Sequence, residues 1–163
     1  MKTKVRQLTV AGMIAALYVV LTVVFQPIGY GSVQFRIAEM LTILPAYFPE
    51  AIPGLTVGCL VSNVIGLSTG ANPAGGWDVL VGTAATALAA WLTYLLRGVR
   101  FKNLPLVATL PPVLINALAV GIELWMVYRG VPWYWHVAGV AAGQFAACTL
   151  CGTLLSAALN KRL

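Results

Sequence analysis

Residues 8–25 read LTVAGMIAALYVVLTVVF, with Lys2, Lys4 and Arg6 just before the run and Pro27 just after it. A helix needs about 20 predominantly apolar residues to cross a bilayer, and this run is close to that length. A cleaved secretory signal has a shorter apolar core, about 7–15 residues, followed by a small-residue cleavage site. Pro27-Ile28-Gly29-Tyr30 offers no such site. The run is therefore read as a retained first transmembrane helix.

The same alternation of apolar run and basic cluster continues outward. Only 14 of the 163 residues are Asp, Glu, Lys or Arg, and 60% are hydrophobic. Arg97, Arg100 and Lys102 interrupt the apolar sequence, and Lys161 and Arg162 close it. This is the composition of an integral membrane protein with short loops, read as one transmembrane domain over residues 1–163. The fold class expected is an all-α bundle of six transmembrane helices, at about 8–25, 37–48, 52–67, 77–96, 104–128 and 133–160. Pro111-Pro112 should bend the fifth. The second is short for a full span, and a tilted or partly re-entrant course is tolerated only where protein covers its backbone. Gly29-Tyr30-Gly31 and the Gly-, Asn- and Pro-rich residues 68–76 read as turns.

Charge sets the orientation. Lys and Arg favour cytoplasmic loops. With the N-terminus inside and six crossings, eight of the ten basic residues lie inside, and only Arg36 and Arg129 lie outside. Five crossings would move Lys161 and Arg162 outside and weaken that bias. The expected location is the plasma membrane of a prokaryote, multi-pass, with both termini cytoplasmic. The net charge of +6 reflects this bias, and no nucleic-acid partner is expected. Cys59, Cys148 and Cys151 lie in apolar runs and read as small packing residues rather than a redox or metal pair.

Small residues recur four apart in several helices, as in Gly54-x-x-x-Gly58, and such faces let helices approach closely in lipid. Ala11 and Ala15 form one near the cytoplasmic end of the first helix. It serves either packing within the chain or docking of another membrane protein.

Polar side chains inside a membrane are costly and are functional candidates by default. Six crossings place Glu39, Asn63, Asp78 and Glu123 toward the outer side, with Asn116 deeper on the face of Glu123 and Gln144 mid-helix. Each has a structural alternative. Arg36 and Glu39 suit an ion pair one turn apart. Asp78 suits a helix N-terminus. Asn72 suits a turn with Pro73. Trp77, Trp133 and Trp135 suit interfacial anchors, and His136 a hydrogen-bonded interfacial residue. The one-sided convergence of three of the four acids goes beyond these alternatives. It points to an outward-facing pocket of carboxylates, amides and aromatics for a flat, nitrogen-rich molecule. A carboxylate accepts paired N–H groups from a base edge, tryptophan offers a stacking face, and a second carboxylate suits an amine. There is no G-x-x-x-x-G-K-[ST] loop, and neither H-E-x-x-H nor G-x-S-x-G. ATP hydrolysis by a phosphate loop, embedded zinc proteolysis and Ser-His hydrolysis are thereby disfavoured.

Gln34-Phe35-Arg36-Ile37-Ala38-Glu39, Ile52-Pro53-Gly54-Leu55-Thr56-Val57-Gly58-Cys59, Trp77-Asp78 and Pro111-Pro112-Val113-Leu114-Ile115-Asn116 through Gly121-Ile122-Glu123-Leu124 resemble the QueT family, in order and over nearly the whole chain. These are S components of energy-coupling factor (ECF) transporters linked to queuosine-precursor uptake. The resemblance implies a non-catalytic, six-helix substrate-binding subunit working with a membrane scaffold subunit and two ATPase chains. It implies a 7-deazaguanine ligand such as preQ0, preQ1 or queuine, no cofactor and no metal. It assigns Ala11 and Ala15 to scaffold docking. The substrate residues expected are Glu123, Glu39, Asp78, Asn63, Asn116 and Arg36, with Trp77, Trp133 or Trp135 stacking. The competing readings are an S component for another heterocycle, a membrane-embedded enzyme using Glu39, Asp78 or Glu123, and a structural protein.

Overall fold

A computed structural model describes residues 2–30 and 34–161. Gly31, read as part of a turn, and Arg162, counted among the basic residues, lie outside the described residues. The described regular structure is helical. In chain order it comprises α1 (Lys2–Val24), α2 (Gln26–Gly29), a 3-10 helix (Ile37–Ala46), α3 (Ala51–Ser68), α4 (Gly76–Leu95), α5 (Leu110–Val127), α6 (Trp133–Gln144) and α7 (Gly152–Asn160). A π-helical stretch, Phe145–Cys151, joins α6 to α7. Five segments are long and apolar enough to cross a membrane: Thr3–Val24, Ala51–Ser68, Gly76–Gly98, Leu106–Val127 and Trp133–Asn160.

Burial is inverted relative to a protein folded in water. Leu8, Leu80, Leu114 and Leu154 are 60–76% exposed, whereas Glu39, Asn63, Asp78, Asn116 and Gln144 are at most 2% exposed. Such a distribution suits lipid, which solvates leucine as well as another helix does.

Ile37–Ala46 lies within the short second helix expected at about 37–48. It is instead wound as a 3-10 helix, with Pro45 inside it and eight of its ten residues buried. Runs of this length are uncommon. At about 2.0 Å rise per residue, ten residues reach about 20 Å, against about 15 Å for an α-helix. A segment that is apolar nearly all round belongs in the centre of a bundle. Leu41 and Leu44 accordingly join Ile14 and Tyr18 of α1, Leu55 and Cys59 of α3, and Ala90 of α4 in one core.

Two ends can be told apart by their contacts. At one, Tyr47 Oη lies 2.6 Å from Ser156 Oγ, Arg100 lies over the Tyr47 ring at 5.5 Å, and Asn160 Nδ2 donates to Asn103 O at 2.8 Å. At the other, Gln26 Nε2 donates to Thr69 Oγ1 at 2.9 Å. The loop at 96–105 and the C-terminal turn share the first end, where the basic residues cluster.

Small residues decide which helices touch. A methyl added to Gly58 would come within 2.8 Å of Tyr18 Cβ and 3.2 Å of Ala15 Cα, and one added to Gly54 within 2.7 Å of Ala11 O. The Gly54/Gly58 face of α3 is thus seated on the Ala11/Ala15 stretch of α1. Gly143 lies against the backbone of Gln34 and Phe35, and Gly152 sits 3.4 Å, measured from an added methyl, from Met40 O. Together with buried Ala147 and Ser156, they lay one side of the last helix along residues 34–47.

Two expectations about helix boundaries change. Pro111-Pro112 opens α5 rather than bending it, with the 3-10 turn Leu106–Thr109 leading in. Proline is suited to a first turn, where its missing N–H is not needed. The expected last helix at 133–160 is one path, but not one α-helix, because of the π-helical stretch.

Candidate functional site

The extended residues before the 3-10 helix bring Arg36 to the first turn of α4. Arg36 has φ −85° and ψ 101°, so it is off the helical face that carries Glu39. Its Nη2 lies 2.5 Å from Asp78 Oδ2. The ion pair is therefore Arg36–Asp78 and not Arg36–Glu39. Arg36 is 4% exposed and Asp78 0%, so water screens little of their attraction. Asn72 serves both its turn and this pair: its Oδ1 accepts from Ala74 N at 3.1 Å and its Nδ2 donates to Asp78 Oδ2 at 2.7 Å. Asn63 Nδ2 donates to Asp78 O at 2.7 Å. Arg36 also lies over the Tyr30 ring, 4.7 Å from its centroid. Burial raises the pKa of the Tyr30 hydroxyl above its ordinary value, the charge on Arg36 opposing, so it stays a donor. It donates to Ser62 O at 3.3 Å.

Glu39 forms a second cluster. Tyr18 Oη donates to its Oε1 and Asn116 Nδ2 to its Oε2 at 3.4 Å. Both oxygens of Glu39 are thus served from within the chain.

Glu123 differs. It is 5% exposed, yet neither of its oxygens has a hydrogen-bond partner among the described residues. The same holds for Asp78 Oδ1 and Gln34 Oε1. Asp78 Oδ1 lies over Gly82, which has no side chain in its way. Buried polar groups are nearly always paired, and each exception calls for a reason. Among the described residues such atoms occur on Gln34, Asp78, Thr83, Glu123 and Thr153, and both oxygens are unpaired only in Glu123.

A cavity of about 330 Å³ lies between α4 and α5, lined by Glu123 with Trp77, Val81, Ala119, Ile122 and Met126 among others. Its volume falls in the lower part of the range of small-molecule sites. A cavity of about 500 Å³ at the basic end, lined by Arg6, Ile14, Tyr47 and Glu50 among others, holds none of these acceptors.

The expected site residues divide accordingly. Arg36, Asp78 and Asn63 are brought together, as are Glu39 and Asn116, and Glu123 shares a cavity with Trp77. Trp77, Trp133 and Trp135 are 69%, 51% and 63% exposed, and of the three Trp77 lines the cavity with Glu123. His136 Nε2 lies 3.3 Å from Tyr128 O, and its ring stacks on Tyr128. Ala11 and Ala15 are half-buried against α3. Sequence reasoning passed over Tyr18 and Gln34. A tyrosine within an apolar helix has no signature until its partner is seen, and Gln34 stood out only within the family-like run 34–39.

Comparison with known proteins bears on this arrangement. A family model described as QueT transporter matches residues 8–161. The queuosine precursor transporter QueT of Lactococcus lactis subsp. cremoris (strain MG1363) is 34% identical over 105 residues, 63% of this chain and 57% of that protein. The alignment thus spans little more than half of that relative's length. No solved structure matches. A helical chain with five segments able to cross a membrane, matched almost end to end by a transporter family, is a multi-pass membrane protein: the chain belongs to the QueT transporter family.

Proposed function

We propose that the chain is the substrate-binding S component of an ECF-type transporter and captures a 7-deazaguanine queuosine precursor from outside. Delivery then follows from reorientation in a complex with a scaffold subunit and two ATPase chains, which supply the hydrolysis this chain has no phosphate loop to perform. The chain crosses the membrane six times in this reading. Ile37–Ala46 is the short second crossing, its backbone covered by the surrounding helices, and both termini are cytoplasmic.

The observation that carries the reading is Glu123, buried on the cavity between α4 and α5 with no hydrogen-bond partner at either of its oxygens among the described residues. A ligand that satisfies them must be rich in N–H donors. The guanine-like edge of a 7-deazaguanine presents such donors in one plane, and Trp77 beside Glu123 offers an aromatic face. Purified protein should bind preQ1 or queuine in calorimetry, and adenine or thiamine far more weakly. Glu123→Gln and Asp78→Asn should each lose roughly a hundredfold, since a truncated partner of a buried charged hydrogen bond costs several kcal/mol at about 1.4 kcal/mol per factor of ten. Wild-type affinity in both variants would remove these carboxylates from the site. Absence of any 7-deazaguanine binding would overturn the ligand assignment itself.

A further inference from the structure

Arg6 of α1 and Glu50, the residue before α3, line the cavity of about 500 Å³ at the basic end. They carry opposite charges, and no salt bridge joins them. Both walls change character with depth. On α1 the lining runs from Arg6 and Gln7 to Val10, Met13 and Ile14. At 1.5 Å per residue, Arg6 to Ile14 is about 12 Å. On the facing wall the lining runs from Glu50 to Leu44, and Leu44 and Ile14 belong to one buried core. Met13 is 67% exposed, so the apolar part of the cavity is open to the lipid side. The polar part lies where the basic residues cluster, which is the depth of the headgroups.

We propose that this cavity is a binding site for a zwitterionic phospholipid of the phosphatidylethanolamine type. Arg6 takes the phosphate, Glu50 takes the ammonium, and the apolar walls take the first part of the acyl chains. Charges at the mouth and hydrocarbon below is the order of a phospholipid along the membrane normal. A basic site alone would suit an anionic lipid. Here Glu50 repels a headgroup of net negative charge, and the glycerol head of phosphatidylglycerol brings no cation to it. Apolar walls would also suit a helix of a partner protein, but such a helix gives no reason for two charges of opposite sign at one mouth. A volume of about 500 Å³ is that of a small-molecule site, so it holds the head and upper chains rather than a whole lipid. The site is separate from Glu123 and does not depend on which substrate the chain carries.

The test uses the full chain in mild detergent, with native mass spectrometry reading the lipid it retains. The probes are dioleoyl-phosphatidylethanolamine, dioleoyl-phosphatidylglycerol and dioleoylglycerol, added in equal amounts. Wild type should hold phosphatidylethanolamine about fivefold more tightly than phosphatidylglycerol. That ratio equals about 1 kcal/mol, the size of one charged contact at a membrane surface. Arg6→Gln should weaken both phospholipids by about fivefold. Glu50→Gln should bring the two to within about twofold of each other, since it removes both the ammonium contact and the repulsion. Arg97→Gln, in the other basic cluster at this end, should match wild type. Phosphatidylglycerol held as tightly as phosphatidylethanolamine by wild type, or more tightly, overturns the inference in favour of an anionic lipid, and this ratio decides even if a variant fails to fold. Dioleoylglycerol held as well as either phospholipid, or no lipid held at all, also overturns it and leaves the groove to a partner protein. Wild-type retention in both folded variants, or an equal loss in Arg97→Gln, places the lipid elsewhere and overturns it too.

Discussion

Removing either partner of the Arg36–Asp78 pair should cost far more than removing both. The pair is 2.5 Å apart, with Arg36 4% and Asp78 0% exposed. In Arg36→Met, Asp78 keeps only Asn72 at 2.7 Å as a donor to Oδ2 among the described residues. In Asp78→Asn, Arg36 keeps the Gly29 carbonyl at 3.4 Å and the Tyr30 face at 4.7 Å, neither of which carries a charge. Breaking a buried pair costs about 3–5 kcal/mol, because the survivor is left buried and uncompensated. That is roughly two to three and a half orders of magnitude in the ratio of folded to unfolded protein. Asp78→Asn should be the worse of the two near neutral pH. A stranded carboxylate can escape by taking up a proton, whereas a guanidinium stays charged. The double variant Arg36→Met/Asp78→Asn strands no charge, so it should recover a large part of the loss. Equilibrium unfolding in mixed micelles of mild detergent and SDS, without ligand, measures all four corners of this cycle. Single variants within about 1 kcal/mol of wild type, the range of an exposed pair, with additive effects in the double variant, would refute the reasoning.

Two further outcomes follow from the arrangement of helices. Single cysteines at Lys4, Asn103 and Lys161 should label only in permeabilised cells and one at Gly70 from outside; labelling of Lys161 from outside would rule out six crossings. Tryptophan at Ala15, and separately at Ala11, should block transport while sparing ligand binding in isolated protein, if this stretch docks the scaffold. Because Gly54 and Gly58 of α3 rest on the same stretch, a parallel loss of binding would assign both alanines to packing within the chain.

Much of the architecture follows from where charge is absent. Long apolar runs between basic clusters locate the long helices, since each needs enough apolar residues to cross lipid. What pattern could not supply is pairing between distant segments. Arg36 and Glu39 look like partners by the helical rule that residues three apart are neighbours. That rule fails because Arg36 is still in extended backbone, one residue before the helix begins, and its partner is 42 positions away. Pro111-Pro112 reads as a bend, whereas the pair opens α5, because the residues before it form a separate 3-10 turn. Alternating crossings lead to the expectation that Glu39, Asp78 and Glu123 gather at one side. Which carboxylate is served by neighbours and which is not depended on Tyr18 and Asn116, and no spacing rule connects these to Glu39.

The π-helical stretch in the last helix has a consequence for chain length. Gly143 and Gly152 are nine residues apart, and in an unbroken α-helix they would point in nearly opposite directions, about 180° apart. Yet both meet residues 34–43. The wide turn over Phe145–Cys151 acts as one surplus residue and brings the two glycines from about 180° to about 80° of each other. A single deletion inside this stretch therefore closes it into ordinary α-helix and leaves Ser156 beside Tyr47. The same deletion within α6 swings Trp133 and its neighbours by about 100° relative to Gly143. Loss of one residue should therefore be better tolerated in this turn of the helix than in the turns before it.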